Sequence, residues 1–170
     1  GTNSHAEGSV TRADGEASHT EGYDTEAGGH YSHAEGYSTL AYGNNAHSEG
    51  SHTMASGHNA HAEGEGTFLP PDSESLEARL GSWEIQKFLE AFGEASHAEG
   101  KDTLSLNKAS HAEGLETTAS GTGAHSEGKS TVASAGNAHA EGNGTKAEGT
   151  AAHAEGSSNQ AIGDASHVEG

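Results

Sequence analysis

The sequence predicts an all-β protein, a parallel β-roll or solenoid that completes one turn every 14 residues. Three observations carry this. The pentapeptide Ser4-His5-Ala6-Glu7-Gly8 returns, lightly varied, so that eleven histidines keep step: His5, His19, His33, His47, His61, His97, His111, His125, His139, His153 and His167. Small and polar residues alternate within each repeat, which is the pattern of a strand whose side chains point to opposite faces. Glycine closes each half-repeat, where a tight corner needs a residue tolerant of positive φ or close backbone approach.

Composition alone points elsewhere. The chain is 29% hydrophobic and 5% aromatic, with a formal charge of −19. So few apolar groups could hardly offset chain entropy in a globule. A fixed repeat overrides that prior, because each turn is stabilised by its neighbours along a continuous, narrow core. The 170 residues are therefore expected to form one elongated domain, 1–170. The chain opens and closes in mid-repeat, as a piece of a longer protein would.

The first full repeat runs from Ser4 to Ala17 and splits into two halves of seven residues. Ser4, Ala6 and Gly8 share one face of the first strand, and His5 and Glu7 share the other. In the second half Thr11, Ala13 and Gly15 oppose Arg12 and Asp14. The threonine column (Thr11, Thr25, Thr39 and onward, ending in Asn159) and the alanine column beside it are almost uniformly small. Only small side chains fit between two closely packed strands, so these columns are assigned to the interior. Outward positions of the second strand vary freely, from Arg12 and Asp14 to Gln160 and Ile162. Outward positions of the first strand are always His and Glu, the glutamates being Glu7, Glu21, Glu35, Glu49, Glu63, Glu99, Glu113, Glu127, Glu141, Glu155 and Glu169. An outward face that never varies calls for a constant partner, and the economical one is the same face of another copy.

The repeat is interrupted once. His61 and His97 are 36 residues apart, one repeat plus 22 residues. The turn is expected to run through Thr67-Phe68-Leu69 and to stop at Pro70-Pro71, since proline cannot donate to the ladder. Asp72 and Ser73 are N-cap candidates, and helical composition continues to Phe92. Leu76, Leu80 and Trp83 fall on one side of a helix, and Ile85, Phe88, Leu89 and Phe92 on the other. Gly81-Ser82 divides them, so the 70–92 segment reads as a short helical insertion of two pieces. Counting the turn at Thr67, the roll has twelve turns and a length of roughly 55–60 Å.

The Ala-x-Gly pattern at every seventh residue resembles the heads of YadA-like trimeric autotransporter adhesins. The Ser-His-Ala-Glu-Gly form is similar to repeats in tail-spike and tail-fibre proteins of phages and prophages. The resemblance covers residues 1–66 and 93–170. It implies a left-handed parallel β-roll, a homotrimer, and a place in a virion tail or on a bacterial cell surface. The role it implies is structural, contributing to attachment to a host or receptor. In some of the phage proteins a C-terminal chaperone domain cleaves itself off, so a stalk preceding such a domain is an alternative; nothing of that domain lies in residues 1–170. The adhesin heads carry aliphatic residues beside the alanine where this chain has His and Glu; only Gln160-Ala161-Ile162-Gly163 drifts toward their form.

Other classes fare less well. An acidic chain lacks the basic stripe that nucleic acid requires. No apolar run approaches the ~20 residues of a membrane span, and no leader peptide is visible. Without cysteine there is neither a disulfide nor a thiolate metal site. The His/Glu pairs read as the polar core of a trimer interface, with a pH-responsive version beside it because histidine titrates near neutrality. As a continuous ladder, and not a closed set, they are expected to hold no native metal, and no cofactor is implied. A calcium-binding Gly-Gly-x-Gly-x-Asp repeat is missing too. Identical repetition marks architecture and not one tuned catalytic site, so the chain is not expected to be an enzyme. His30, His52 and His58 are assigned to solvated turns. Tyr23, Tyr31, Tyr37, Tyr42 and Trp83 are the candidates for a receptor or carbohydrate platform. An ice-binding solenoid is a further alternative, weakened by the interior assignment of the threonines.

Overall fold

The computed structural model describes residues 1–66 and 89–170. The chain winds through two parallel sheets, one of 11 strands and one of 10. Strands of the first sheet are mostly five residues long, from His5–Ser9, His19–Tyr23 and His33–Tyr37 to His139–Asn143, and shorten to His153–Ala154 and His167–Val168 at the end. Those of the second sheet are two or three residues, such as Glu26–Ala27, Thr53–Ala55 and Val132–Ala133. Every rung pairs with its equivalent one repeat on: His19 with His33, Glu21 with Glu35, Gly22 with Gly36. Identical spacing in sequence thus becomes identical register in space, as the all-β solenoid reading requires.

The interior is as small as expected. Thr25, Thr39, Thr53, Thr103, Thr117, Thr131 and Thr145 are fully buried, as are Ala27, Ala41, Ala55, Ala119, Ala133 and Ala147. Among the described residues no fully buried side chain is larger than threonine. The first sheet adds Ala34, Ala62, Ala98, Ala112, Ala140 and Ala154, all at 0% exposure. Burial of the threonines also removes them from any ice-facing surface. Where serine precedes a first-sheet strand it closes the corner: Ser32 Oγ donates to Gly29 O at 2.6 Å and Ser96 Oγ to Gly93 O at 2.7 Å; Ala46, Ala60, Ala124, Ala138 and Ala152 stand at this position in other turns.

Corners carry the backbone strain. Gly36 has φ +123°, and a Cβ there would lie 2.1 Å from the carbonyl oxygen of Gly50 in the next turn. The residues two places further on hold left-handed conformations without being glycine, as at Ser38 (φ 55°) and His52 (φ 55°). Inter-turn bonding persists through these corners, for Ser38 N donates to Tyr23 O and His52 N to Tyr37 O, both at 2.9 Å. Stacking of turns therefore repays the local cost.

The structure corrects the boundary of the insertion. Leu89–Ala91 is a strand of the second sheet, with Leu89 opposite Thr53 and Ala91 opposite Ala55 on one side, and Ala91 opposite Ser105 on the other. His61–Glu65 pairs with His97–Lys101 directly. A single turn therefore spans His61 to His97, and its 14 residues are 61–66 and 89–96, with the 22 residues 67–88 set between. The helical reading fails at 89–91, because the inward Ala91 continues the alanine column and leaves no rung vacant. The helical reading of 70–88, with Trp83, and the strand reading at Thr67-Phe68-Leu69 lie outside the described residues. The expected twelve turns become eleven rungs in the first sheet and ten in the second, a body about 48 Å long at ~4.8 Å per rung.

Candidate functional site

The first strand's outward face is a ladder. Alternation places each histidine and the glutamate two residues on along the same face, and exact register stacks them turn on turn. From His19 to His167 neighbouring imidazoles are face to face, with centroids 4.7–5.0 Å apart. His5 departs, meeting His19 edge-on at an interplanar angle of 75°. From Glu35 to Glu155 each described glutamate of the ladder reaches toward its own histidine: Nε2 to Oε2 is 3.8 Å at His33 and Glu35, 3.6 Å at His97 and Glu99, and 3.5 Å at His125 and Glu127. These separations are ion-pair contacts, longer than a hydrogen bond. The His–Glu pairs from His33 to His153 are therefore not hydrogen-bonded within the chain.

Stacking closes off the ring nitrogens. Nε2 of every ladder histidine from His19 to His153 is shielded from solvent and has no hydrogen-bond partner in the chain. The side chains as a whole are about one-third exposed, 36% at His33 and 33% at His153. At His47, His97 and His111 burial is the largest cause of a pKa below the ordinary histidine value, and the neighbouring histidines add to it. The adjacent glutamates oppose the shift and do not cancel it.

The tyrosine candidates do not form one platform. Tyr23 and Tyr37 stack at 5.3 Å on the corner after the first strand, and the His52 ring meets Tyr37 edge-on at 5.3 Å. Tyr31 lies on the other corner, 60% exposed. Tyr42 belongs to the second sheet's outer face, where its hydroxyl donates to Glu26 Oε2 at 3.3 Å. Burial, then the Glu26 carboxylate, push that phenol up to about 12. Stacking turns Tyr23 and Tyr37 face to face, so the pair offers mainly ring edges to a ligand.

Two histidines assigned to solvated turns have a structural task. His30 Nδ1 accepts from Glu16 N at 3.1 Å, and His58 Nδ1 accepts from Asn44 N at 3.2 Å. Asn44 Oδ1 and Asp164 Oδ1 do the same for His30 N and Thr150 N. One corner column thus supplies an acceptor to the preceding turn. The spacing of 14 between His30, Asn44 and His58 was the available signal.

Fold and ladder together define the class: a parallel β-solenoid repeat protein. No family model and no curated protein matches the chain. Among the described residues no helix is long and apolar enough to cross a membrane.

Proposed function

We propose that the chain is a rigid segment of a homotrimeric, left-handed β-roll, belonging to a phage tail spike or fibre or to a bacterial surface adhesin, and contributing to host or receptor attachment. The observation that carries this is the ladder itself. Eleven turns present the same outward His/Glu pair while the second sheet's outward positions vary. Its glutamates stand at ion-pair distance from their own histidines and stay a third to a half exposed, with acceptor capacity left over. A second and third copy, aligned turn for turn about an axis, would set matching ladders against the exposed glutamate carboxylates of this face. Polar groups at such an interface hold one register at some cost in stability. The resemblance of the repeats to tail-spike and adhesin-head sequences supplies the setting, and the 67–88 segment and the Tyr23–Tyr37 corner are what such a roll would display.

Light scattering from pH 8 to pH 4 tests the assembly. A mass of three chains at neutral pH is the expected result, with dissociation on acidification if the ladder is pH-responsive. One chain mass at every pH overturns the trimer. Attachment is tested by incubating the labelled protein with a panel of bacterial cells; no retention on any of them leaves a spacer without a binding role.

A further inference from the structure

We propose that the ladder between His111 and His167 binds divalent transition-metal ions of the zinc type, each held by two imidazoles from successive turns and the glutamate on the strand of the first. The triad His111, Glu113 and His125 brings one ligand atom from each residue within 4.8 Å of the others, and the same holds for His139, Glu141 and His153. Intermediate triads interleave with these, the last ending at His167. Two nitrogens and one carboxylate oxygen are the donor set that zinc-type ions prefer, with a fourth position left to water.

The geometry is close to what coordination needs. Metal–nitrogen bonds of ~2.0–2.1 Å put tetrahedral ligands about 3.4 Å apart, so ligand atoms within 4.8 Å of one another must close by up to about 1.4 Å. Imidazoles about one-third exposed and carboxylates a third to a half exposed can rotate that far on the surface of a rigid sheet. Nε2 of His111, His125, His139 and His153 makes no hydrogen bond that a metal ion would have to displace. A dication also relieves the repulsion within a column of carboxylates, in a chain whose formal charge is −19.

A definite stoichiometry follows. Neighbouring triads share a histidine, and one ring nitrogen serves one ion. The four triads therefore accept two ions at once, not four. Among the described residues such triads form only from His111 onward; ring spacings from His19 to His97 are 4.9–5.0 Å.

The test is calorimetric titration of the chelator-stripped 170-residue protein with zinc chloride, with nickel and calcium chlorides in parallel. Saturation near two zinc ions per chain, competition by nickel and no calcium uptake are expected. The variant carrying Glu113→Gln, Glu127→Gln, Glu141→Gln and Glu155→Gln keeps the rings and should bind zinc at least about tenfold more weakly. His30→Asn with His58→Asn, which places at both sites the residue their column already uses at Asn44, should leave uptake unchanged. Absence of zinc binding, uptake unaltered by the glutamine changes, or saturation that counts all eleven repeats overturns the proposal. All three ligands come from one chain, so light scattering on the same samples reports the oligomer separately: a monomer that takes up two ions refutes the trimer and keeps the metal sites.

Discussion

Single positions in this roll are held by geometry in some columns and by chemistry in others. Gly36 belongs to the first kind. Its φ of +123° and the carbonyl oxygen of Gly50, 2.1 Å from where a Cβ would stand, exclude any side chain. Gly36→Ala should cost at least about 3 kcal/mol, read as a drop in denaturant midpoint. The buried threonines belong to the second kind and are not equivalent. Thr117 Oγ1 is buried without a partner, whereas Thr131 Oγ1 bonds Ser126 Oγ at 2.7 Å and Glu127 O at 3.2 Å. Thr117→Val should be neutral or stabilising by up to about 1 kcal/mol, since it removes an unpaired hydroxyl. Thr131→Val should destabilise by about 1–3 kcal/mol, because Ser126 Oγ is left buried and unpaired. Equal effects of the two substitutions on urea unfolding would contradict this difference.

A turn, not a strand, is the unit that folds. Second-sheet strands of two or three residues have too little surface to stand alone, and each is held by the rung above and below. The position of the 67–88 segment gives this a direct test. Joining Gly66 to Leu89 restores the 14-residue spacing from His61 to His97 and keeps every described rung. The excised protein should keep its β-sheet circular dichroism signal and a cooperative melt. Loss of 7 further residues instead of 22 alone would place a first-sheet sequence in a second-sheet rung, exchanging His/Glu positions for the variable ones, and should abolish cooperativity.

At the scale of the whole molecule, the ladder couples stability to pH. Protonation of His47, His97 and His111 is disfavoured in the folded chain by burial and by the neighbouring rings. The unfolded chain takes up these protons near the ordinary value of about 6.5. Below that pH the unfolded state binds more protons than the folded one, and stability falls as pH falls toward the lowered folded values. Thermal melts at pH 7.5, 6.0 and 5.0 should show Tm decreasing on acidification; a rising Tm would mean that the glutamates dominate the ladder.

Much of this molecule is legible in the chain because its fold is periodic. The 14-residue spacing, the buried Thr and Ala columns and the outward His/Glu column all follow from alternation plus a constant repeat, which leaves little choice of register. The segment around Leu89 reads as helix in the sequence because helical composition extends to Phe92, and a two- or three-residue strand holds too few side chains to contest it. The acceptor roles of His30 and His58 and the parting of Tyr23 and Tyr37 from Tyr31 and Tyr42 needed coordinates, since they depend on which corner each residue turns. The sequence by itself determined the period, the faces and the residues of the ladder, because these are local and repeat. Only the tertiary structure decided the distances along that ladder, the shielding of its nitrogens and the convergence of two imidazoles with one carboxylate, because those arise between residues 14 apart that meet only when one turn lies on the next.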